Sequence, residues 1–383
     1  MGTNLGGLVM DSIGNRNATA ILKYFAKAEK DLTALMDMDD LDQRVLSNPG
    51  VAGEFEQALA FALRSAFGTE PGDDSHHLFL QRVLYRINRL KFFWYDDLSN
   101  YKNECSDYLR QVQLRIESLW EPWELAQLAQ LASSRDAQQG AVSEMLRSRA
   151  AKDLAPPPSP EAIYFRDHMG IAGYRKLLQI ASLDGLVEAS QLSRTLGGVS
   201  NEIHSMMTRL LVEEYGGGRL SRKHSSFFTV MLKELDISAR PEAHFESVPW
   251  QVLATINHSF LLSERKRYYL RYVGGLLYTE ISVPAAFDNY RLAAERLGMS
   301  EKARGYWDLH IKEDERHGRW MLNDVALPLA EMYPANASEL VLGYDQQRFM
   351  SERAGKATAD LVKHADYADQ LKSASRGSFE AAA

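Results

Sequence analysis

The chain has 383 residues, a formal net charge of -7 and a hydrophobic fraction of 45%, which is enough for one large or two smaller folded domains. The acidic balance, without any Lys/Arg run interleaved with aromatic residues, excludes the electrostatic pattern of a nucleic-acid-binding protein. The single cysteine, Cys105, excludes an internal disulfide framework and a cysteine-based zinc site.

Apolar residues recur at spacings of three and four through most of the chain, as they do between Leu78 and Leu90. Alternating strand-like runs are nearly absent, so the pattern predicts an all-α fold. No apolar run approaches the roughly 18 residues of a membrane helix, and the N-terminus lacks the features of a secretory signal. We therefore expect a cytoplasmic protein that has neither a membrane nor a nucleic acid as its partner.

The clearest boundary along the chain is a group of prolines between Pro156 and Pro160, which cannot continue a helix. We predict an N-terminal helical region over 1–152 that serves packing or dimerisation, and a proline-rich linker over 153–162. A helical domain that binds metal follows over 163–355. A C-terminal helix with a disordered tail is predicted over 356–383. We expect the protein to form a homodimer.

The N-terminal region offers no group with obvious chemistry. The segment GDDSHH, with His76 and His77, follows a Pro-Gly pair and is interpreted as a solvated loop. Trp94, Trp120 and Trp123 belong to an aromatic cluster that is interpreted as core or as a subunit interface rather than as a cofactor site.

The segment HIKEDERH places His310, Asp314 and His317 at spacings of four and three, which puts all three on one face of a helix. Two imidazoles and a carboxylate on one face can hold a transition metal. The alternative is a surface helix with solvated histidines. Apolar neighbours, including Trp307 and Trp320, indicate instead that this helix is partly buried, where such groups need a partner.

Further acids and a histidine upstream could complete a metal site. Glu280 stands alone in a long apolar stretch, and Glu188 is isolated among small and apolar residues. The glycines after Glu214 break a helix and could return His224 toward Glu214. The candidate ligands are Glu188, Glu214, His224, Glu280, His310, Asp314 and His317.

Four carboxylates and three imidazoles exceed the roughly four ligands of one zinc ion. They suit two six-coordinate ions with shared carboxylates, and oxygen and nitrogen ligands without thiolate favour iron or manganese. A ferritin-type bundle would carry an ExxH motif on each of two helices, whereas this sequence has only the DxxH of Asp314 and His317. The motif therefore disfavours a ferritin-type bundle.

Over about residues 160–350 the sequence resembles the haem-oxygenase-like di-iron oxidases and oxygenases. The segments that carry this resemblance are EEYGGG, KHSSFF, RYVGGLLYTE and HIKEDERHG. The resemblance implies a haem-oxygenase-like helical bundle with an N-terminal helical accessory region. The family's six ligands fall on Glu214, His224, Glu280, His310, Asp314 and His317. The extra carboxylate of its N-oxygenating members falls on Glu188. Two Fe(II) ions, O₂ as co-substrate and a separate electron donor are implied with them.

The activity that the resemblance implies is oxidation of the nitrogen of a small amine, guanidine or amino-heterocycle in natural-product biosynthesis. The stand-alone members that convert an aromatic amine to a nitro group, such as 2-aminoimidazole to 2-nitroimidazole, are the better guide. We expect no mononuclear-iron cupin domain like the one that continues another member. The substrate pocket is expected beside the metals, and its candidate lining residues are Tyr215, Asn257, Tyr278 and Tyr306.

Two other functions are open. One is a di-iron oxidase of the same family that cleaves a C–C bond or desaturates an amino acid or fatty acid, against which Glu188 argues. The other is a helical metal-binding protein without enzymatic activity.

Overall fold

The computed structural model describes residues 6–68, 73–92, 97–132, 141–197 and 201–380. These residues form α-helices joined by turns and short 3₁₀ or π segments, without a strand among them, so the predicted all-α class is confirmed. None of the described helices combines the length and apolar character needed to cross a membrane.

The helices are numbered in chain order. Their bounds are α1 Gly6–Met36, α2 Leu41–Ser47, α3 Gly53–Phe67, α4 Asp74–Arg89, α5 Asp107–Ala132, α6 Val142–Asp153, α7 Pro160–Ile163, α8 Ile171–Gly185, α9 Glu202–Glu214, α10 His224–Glu234, α11 Trp250–Glu264, α12 Tyr269–Arg296, α13 Glu301–Trp320, α14 Leu327–Met332 and α15 Ser338–Glu380.

The chain divides into two compact units, Met1–Gln130 and Leu131–Ala383. This division lies N-terminal to the predicted linker, because α6 packs within the second unit. There the buried carboxylate of Asp153 accepts a hydrogen bond of 3.0 Å from the hydroxyl of Tyr344. Residues 156–159 are exposed and non-helical, so the prolines separate two helices of one unit.

The first unit buries an aromatic core in which the rings of Phe25 and Phe79 stack at 4.6 Å. The expectation of a solvated loop at GDDSHH was wrong. Asp73 caps the N-terminus of α4 by accepting a hydrogen bond from the backbone of Ser75. His76 and His77 then lie on buried faces of α4, where the ring of His76 meets Phe25 edge-on. The polar residue Asp73, which indicated a loop, is instead the N-cap residue of α4.

Of the aromatic residues singled out in this region, Trp120 is buried, and its indole nitrogen donates a hydrogen bond to Glu124 at 2.9 Å. The ring of Trp123 lies 4.8 Å from that of His77. Trp94 lies outside the described residues. The two described tryptophans are therefore part of the packing of this unit.

In the second unit, α12 and α15 cross at two glycines. A Cβ atom on Gly343 would lie 1.9 Å from the backbone oxygen of Arg271, and one on Gly274 would lie 2.0 Å from that of Leu340. The two helix backbones are in contact here. Only glycine permits this contact, because a side chain at either position would hold the helices apart. This crossing fixes α12, which carries Glu280, against the longest helix of the unit.

The N-terminus of α8 is held by a carboxylate from α15. Asp366 is buried and accepts hydrogen bonds from the backbone of Gly173 at 2.6 Å and Gly170 at 2.8 Å, and from the hydroxyl of Tyr164 at 2.6 Å. It thus satisfies backbone donors that the first turn of a helix leaves free, and its negative charge is favourable at that end. The segment containing Glu188 begins at the other end of α8.

We expect Asp366→Ala to lower the free energy of unfolding by about 2–3 kcal/mol, since it removes a helix cap and several charge-assisted hydrogen bonds. Urea denaturation measures the change. Asp369→Ala, at an exposed position on the same helix, serves as the control and should change stability by less than about 0.5 kcal/mol. Equal stability of the two variants would show that the cap does not hold α8.

The C-terminal segment that was expected to be disordered is helical as far as Glu380, and the last three residues lie outside the described part of the chain.

Candidate metal centre

Five segments of the second unit converge on one buried site. Glu188 lies in the turn after α8, Glu214 is the last residue of α9, and His224 is the first residue of α10. Glu280 lies in the middle of α12, and the three remaining predicted ligands lie on α13. The structure therefore brings all seven predicted ligand residues together, although they are spread over 130 positions of the sequence.

Three glycines make the turn between α9 and α10. Gly216, Gly217 and Gly218 all have positive φ angles, and a Cβ atom on Gly216 would lie 2.3 Å from the backbone carbon of Arg222. This turn returns the chain so that the Nδ1 atom of His224 lies 2.8 Å from the Oε2 atom of Glu214. The three glycines predicted this turn of the chain, which brings His224 back to Glu214.

The face of α13 that carries His310, Asp314 and His317 is buried. The Nδ1 atom of His310 lies 2.9 Å from the backbone oxygen of Tyr306. Because a backbone oxygen can only accept a hydrogen bond, Nδ1 carries the proton and Nε2 keeps its lone pair. That Nε2 atom faces the Nδ1 atom of His224 at 3.2 Å, so the two imidazoles present nitrogen ligands to one point.

The ligand atoms form two groups that adjoin each other. The first contains Glu188, Glu214, His224 and His310, and the second contains Glu214, Asp314 and His317. Within each group one ligand atom per residue lies within 4.8 Å of all the others. Glu214 belongs to both groups, so its carboxylate would help to hold a metal ion in either of them.

Glu280 completes the second group from the side of α12. Its Oε2 atom lies 3.4 Å from the Nδ1 atom of His317, and oxygens of Glu214 and Asp314 lie 3.5 Å from the same nitrogen. Three carboxylates thus surround one imidazole nitrogen at distances that exceed a good hydrogen bond. Such an arrangement leaves room for a cation between them.

The close approach of α12 and α13 beside Glu280 depends on Gly318. A Cβ atom at this position would lie 3.1 Å from the backbone oxygen of Glu280 and 2.9 Å from a side-chain carbon of Ile281. Pro284, one turn further along α12, has no N–H to bond to that backbone oxygen. A glycine on one helix and a proline on the other therefore shape the contact that places Glu280 beside His317.

Burial dominates the protonation of the carboxylates. It raises the pKa of Glu188, Asp314 and Glu280, and neighbouring carboxylates raise the pKa of all three further. Burial also raises the pKa of Glu214, but the hydrogen bond and positive charge of His224 outweigh it and leave that pKa below its usual value. Concentrated negative charge without a cation is therefore costly at this site.

The pKa values of His310 and His317 shift in opposite directions. Burial lowers the pKa of His310 to about 4, so its imidazole is neutral and free to bind a metal. Burial would lower the pKa of His317 too, but the carboxylates of Asp314, Glu280 and Glu213 raise it to about 11. A proton on His317 thus supplies positive charge where the carboxylates converge, and a metal ion would compete with that proton.

Buried polar atoms without a hydrogen bond show that this donor set fits metal ions. Within the described part of the chain, Oε1 of Glu188, Oδ1 of Asp314 and Nδ1 of His317 are such atoms. Buried polar atoms are nearly always satisfied, so three orphans in one cluster call for an unseen partner. Oxygen and imidazole ligands without thiolate are typical of iron and manganese sites.

The other nitrogen of His317 is held by a residue that the sequence did not single out as functional. Its Nε2 atom lies 3.0 Å from the Oε2 atom of Glu213, which also accepts a hydrogen bond of 2.6 Å from Arg316. A carboxylate in this position orients a metal-binding imidazole. Glu213 and Glu313 also approach His317 closely enough for a metal, but the guanidinium of Arg316 already binds both carboxylates.

A cavity of about 280 Å³ adjoins the ligands, just below the lower bound of about 300 Å³ for drug-sized ligand pockets. Glu188, Glu214, Glu280, His310 and Asp314 form one wall. The remaining walls combine apolar side chains with hydroxyls and amides, among them Gln191, Thr255, Ile256, Ser259, Leu262, Tyr272, Thr279, Val283, Phe287, Tyr306 and Gln347. A small organic molecule would lie directly beside the metal ligands.

Of the four residues expected to line the substrate pocket, Tyr306 lies in the cavity wall and donates a hydrogen bond of 2.6 Å to Oε2 of Glu188. The other three do not line this cavity. Tyr215 packs beneath the ammonium group of Lys223, Asn257 is fully buried in α11, and Tyr278 meets the ring of Tyr344 edge-on.

Comparison with known proteins agrees with this geometry. Residues 175–347, which include all seven candidate ligands, match a family described as iron-containing redox enzymes. Over 198 residues the chain is 27% identical to nitrosourea synthase from Streptomyces achromogenes subsp. streptozoticus. The aligned part is 51% of this chain and 42% of that protein, so the chain spans about two fifths of the relative's length. Residues 175–347 of this all-α chain are thus similar to the iron-containing redox enzymes, and they contain the whole candidate metal centre.

Proposed function

We propose that the chain is an O₂-dependent non-haem di-iron N-oxygenase that acts on a small amine, guanidine or amino-heterocycle. The observation that carries this proposal is the pair of ligand groups that share Glu214, one of which includes an additional carboxylate, Glu188, in the wall of the cavity. The name of the relative, a nitrosourea synthase, supports oxidation at nitrogen.

Glu188, Glu214, His224 and His310 would hold one iron, and Glu214, Glu280, Asp314 and His317 the other. Bound as Fe(II), the pair would supply the electrons and binding positions through which O₂ is activated. For one step the balance is R–NH₂ + O₂ + 2 electrons + 2 protons → R–NHOH + H₂O. A second oxidation of the same nitrogen leads toward nitroso and nitro products.

The protein's own groups shape this chemistry. The hydroxyl of Tyr306 holds one oxygen of Glu188, which leaves the orphaned Oε1 atom of that carboxylate free for a metal. Ile256, Leu262, Val283 and Phe287 give the cavity apolar walls that exclude water from an oxidant. The neutral ring of His310 is fixed by its hydrogen bond to the backbone of Tyr306 and cannot rotate away.

The first oxygen transfer, to the hydroxylamine, consumes two electrons that the amine does not supply, so a separate electron donor would have to reduce the centre. The sequence contains no GxxxxGK[ST] phosphate loop, and no flavin or NAD fingerprint was found in it. We propose a reductase or small redox protein as the partner, with a homodimer as the assembly.

Incubation of the iron-loaded protein with ¹⁸O₂, a chemical reductant and candidate amines tests the proposal. We expect mass spectrometry to detect products that carry one or two ¹⁸O atoms on nitrogen, including 2-nitroimidazole when 2-aminoimidazole is supplied. Carbon–carbon cleavage or desaturation products would indicate the alternative oxidase. Iron loading without any O₂-dependent change in absorbance would indicate a metal-binding protein instead.

A further inference from the structure

A row of oxidisable aromatic side chains begins beside the candidate metal centre. Tyr306 is buried in the cavity wall, and its hydroxyl donates a hydrogen bond of 2.6 Å to Oε2 of Glu188. Its ring centroid lies 4.3 Å from that of His310. One phenol thus contacts a carboxylate and an imidazole that are both candidate ligands, so it lies beside any oxidant formed between them.

The row continues away from the cavity toward the protein surface. The ring of Trp307 lies 5.0 Å from that of Tyr306, and the ring of Tyr290 lies 5.3 Å from that of Trp307. Trp307 is buried, Tyr290 is half-buried, and neither residue lines the cavity. Two steps between neighbouring rings therefore lead from a side chain bonded to Glu188 to a residue that solvent reaches.

The chemical nature of these three residues is more specific than packing requires. Phe228 and Phe287 contact the ring of Tyr306 at centroid distances of 4.9 and 5.8 Å, so phenylalanine fits this core. Phenylalanine also supplies the large apolar ring that aromatic packing uses. The row itself holds two phenols and an indole, which lose an electron far more readily than a phenylalanine ring does. A row of this composition can pass an oxidising equivalent from ring to ring.

A second branch from Trp307 ends inside the protein. The indole nitrogen of Trp307 donates a hydrogen bond of 2.9 Å to the hydroxyl of Tyr174, which in turn donates one of 3.3 Å to the sulfur of Met231. Tyr174 and Met231 are both fully buried. This branch fixes the orientation of the indole but gives no route to solvent, which leaves Tyr290 as the outer end of the row.

We propose that Tyr306, Trp307 and Tyr290 form a radical-transfer chain, which carries an oxidising equivalent from the iron pair to the protein surface when no amine occupies the cavity. This inference rests on the proposed activation of O₂. An oxidant that finds no substrate would otherwise attack the side chains around it, such as the ring of Phe287 in the cavity wall. Electrons drawn from the surface through the chain would protect these side chains.

Each passage along the chain moves one electron inward. Tyr306 loses an electron to the oxidised iron pair, and its phenol proton passes along the hydrogen bond to Oε2 of Glu188. Trp307 then returns an electron to Tyr306, which takes its proton back. Tyr290 reduces Trp307 and releases its own phenol proton to water. A one-electron donor in solution, such as ascorbate, restores Tyr290 with an electron and a proton.

Freeze-quench electron paramagnetic resonance of the Fe(II)-loaded protein, mixed with O₂ in the absence of amine, tests the chain. We expect an organic radical in the wild-type protein, and ascorbate should shorten its lifetime. After repeated exposure to O₂ with ascorbate present, peptide mass spectrometry should find no oxygen added to the peptide that contains Tyr306. An O₂ electrode records in parallel whether the iron pair reacts.

Tyr290→Phe keeps the ring and removes the oxidisable hydroxyl at the outer end of the chain. We expect the radical to persist on Tyr306 and Trp307, ascorbate to lose its effect on the lifetime, and the peptide containing these two residues to gain oxygen. Trp307→Phe interrupts the chain in the middle. It should show the same loss of ascorbate sensitivity, with the radical confined to Tyr306.

Tyr278→Phe is the matched control, because Tyr278 is also half-buried on α12 but its ring contacts Tyr344 instead of this row. This variant should behave as the wild-type protein does. Circular dichroism establishes that all three variants are folded. If the smaller ring at position 307 disturbs the core, Tyr290→Phe alone decides the outcome.

Uptake of O₂ without any organic radical would overturn the inference. So would a Tyr290→Phe protein that keeps the ascorbate effect, or a Tyr278→Phe protein that loses it. In each of these cases O₂ still reacts at the iron pair, so the proposed function stands. Absence of O₂ uptake by the wild-type protein would instead refute the proposed function, and the inference would fall with it.

Discussion

Glu214→Gln is expected to weaken Fe(II) binding in both halves of the candidate centre, because Glu214 is the residue that the two ligand groups share. The amide keeps the size of the side chain but removes the charge that faces His224 at 2.8 Å and His317 at 3.5 Å. Residues that only orient a metal ligand cost about 10–100-fold in affinity when they are replaced. We expect replacement of a shared ligand to lower the affinity for each Fe(II) ion by at least about 100-fold, with loss of O₂-dependent activity.

Anaerobic Fe(II) titration followed by the rise in melting temperature measures this loss without turnover, since a metal that binds only the folded protein stabilises it. Glu202→Gln is the control, because Glu202 lies at the exposed start of the same helix and should leave the titration unchanged. Circular dichroism establishes that both variants are folded. Tight binding of two irons by folded Glu214→Gln would remove this residue from the centre.

Gly343→Ala is expected to have the largest effect on stability. The added methyl group would lie 1.9 Å from the backbone oxygen of Arg271, so α12 and α15 would have to move apart along their crossing. An extra methyl group that clashes with core side chains lowers stability by about 1–3 kcal/mol. A clash with backbone costs more, because the backbone cannot move aside as a side chain can. We expect a loss of about 3 kcal/mol or more, with weaker Fe(II) binding because α12 carries Glu280.

Gly355→Ala on the same helix is a matched control for the substitution itself. No atom lies within 4 Å of the Cβ position there, and alanine favours helix over glycine by about 1 kcal/mol. Urea denaturation should therefore show one variant less stable and the other as stable as wild type or more so. A Gly343→Ala protein that matched Gly355→Ala in stability would contradict the close crossing.

The features that could be predicted from the sequence are those set by local geometry. The helical period alone places His310, Asp314 and His317 on one face, and three glycines alone predict the return of His224 toward Glu214. Glu280 was identified because an acid inside an apolar stretch is unusual. That these groups meet at one site was implied by family resemblance, since neither period nor composition specifies how helices pack.

The features that could not be predicted depend on which side of a helix faces the cavity. Tyr278 was expected beside the substrate because it lies near Glu280 in sequence. Two residues along a helix correspond to a rotation of about 200°, so Tyr278 faces Tyr344 on the opposite side. Glu213 was passed over for the converse reason, because an acid near a helix end is ordinary on a protein surface. Only the packing shows that its carboxylate contacts the imidazole of His317.

In the proposed centre, two iron ions share Glu214 in the second unit of this chain. A crystal structure of the protein loaded anaerobically with Fe(II), with anomalous diffraction recorded at the iron edge, tests it most directly. We predict two iron peaks per chain, one contacted by His224 and His310, the other by Asp314 and His317, with a Glu214 oxygen on each. A single peak, or two peaks that no Glu214 oxygen joins, would show that the chain does not hold this di-iron centre.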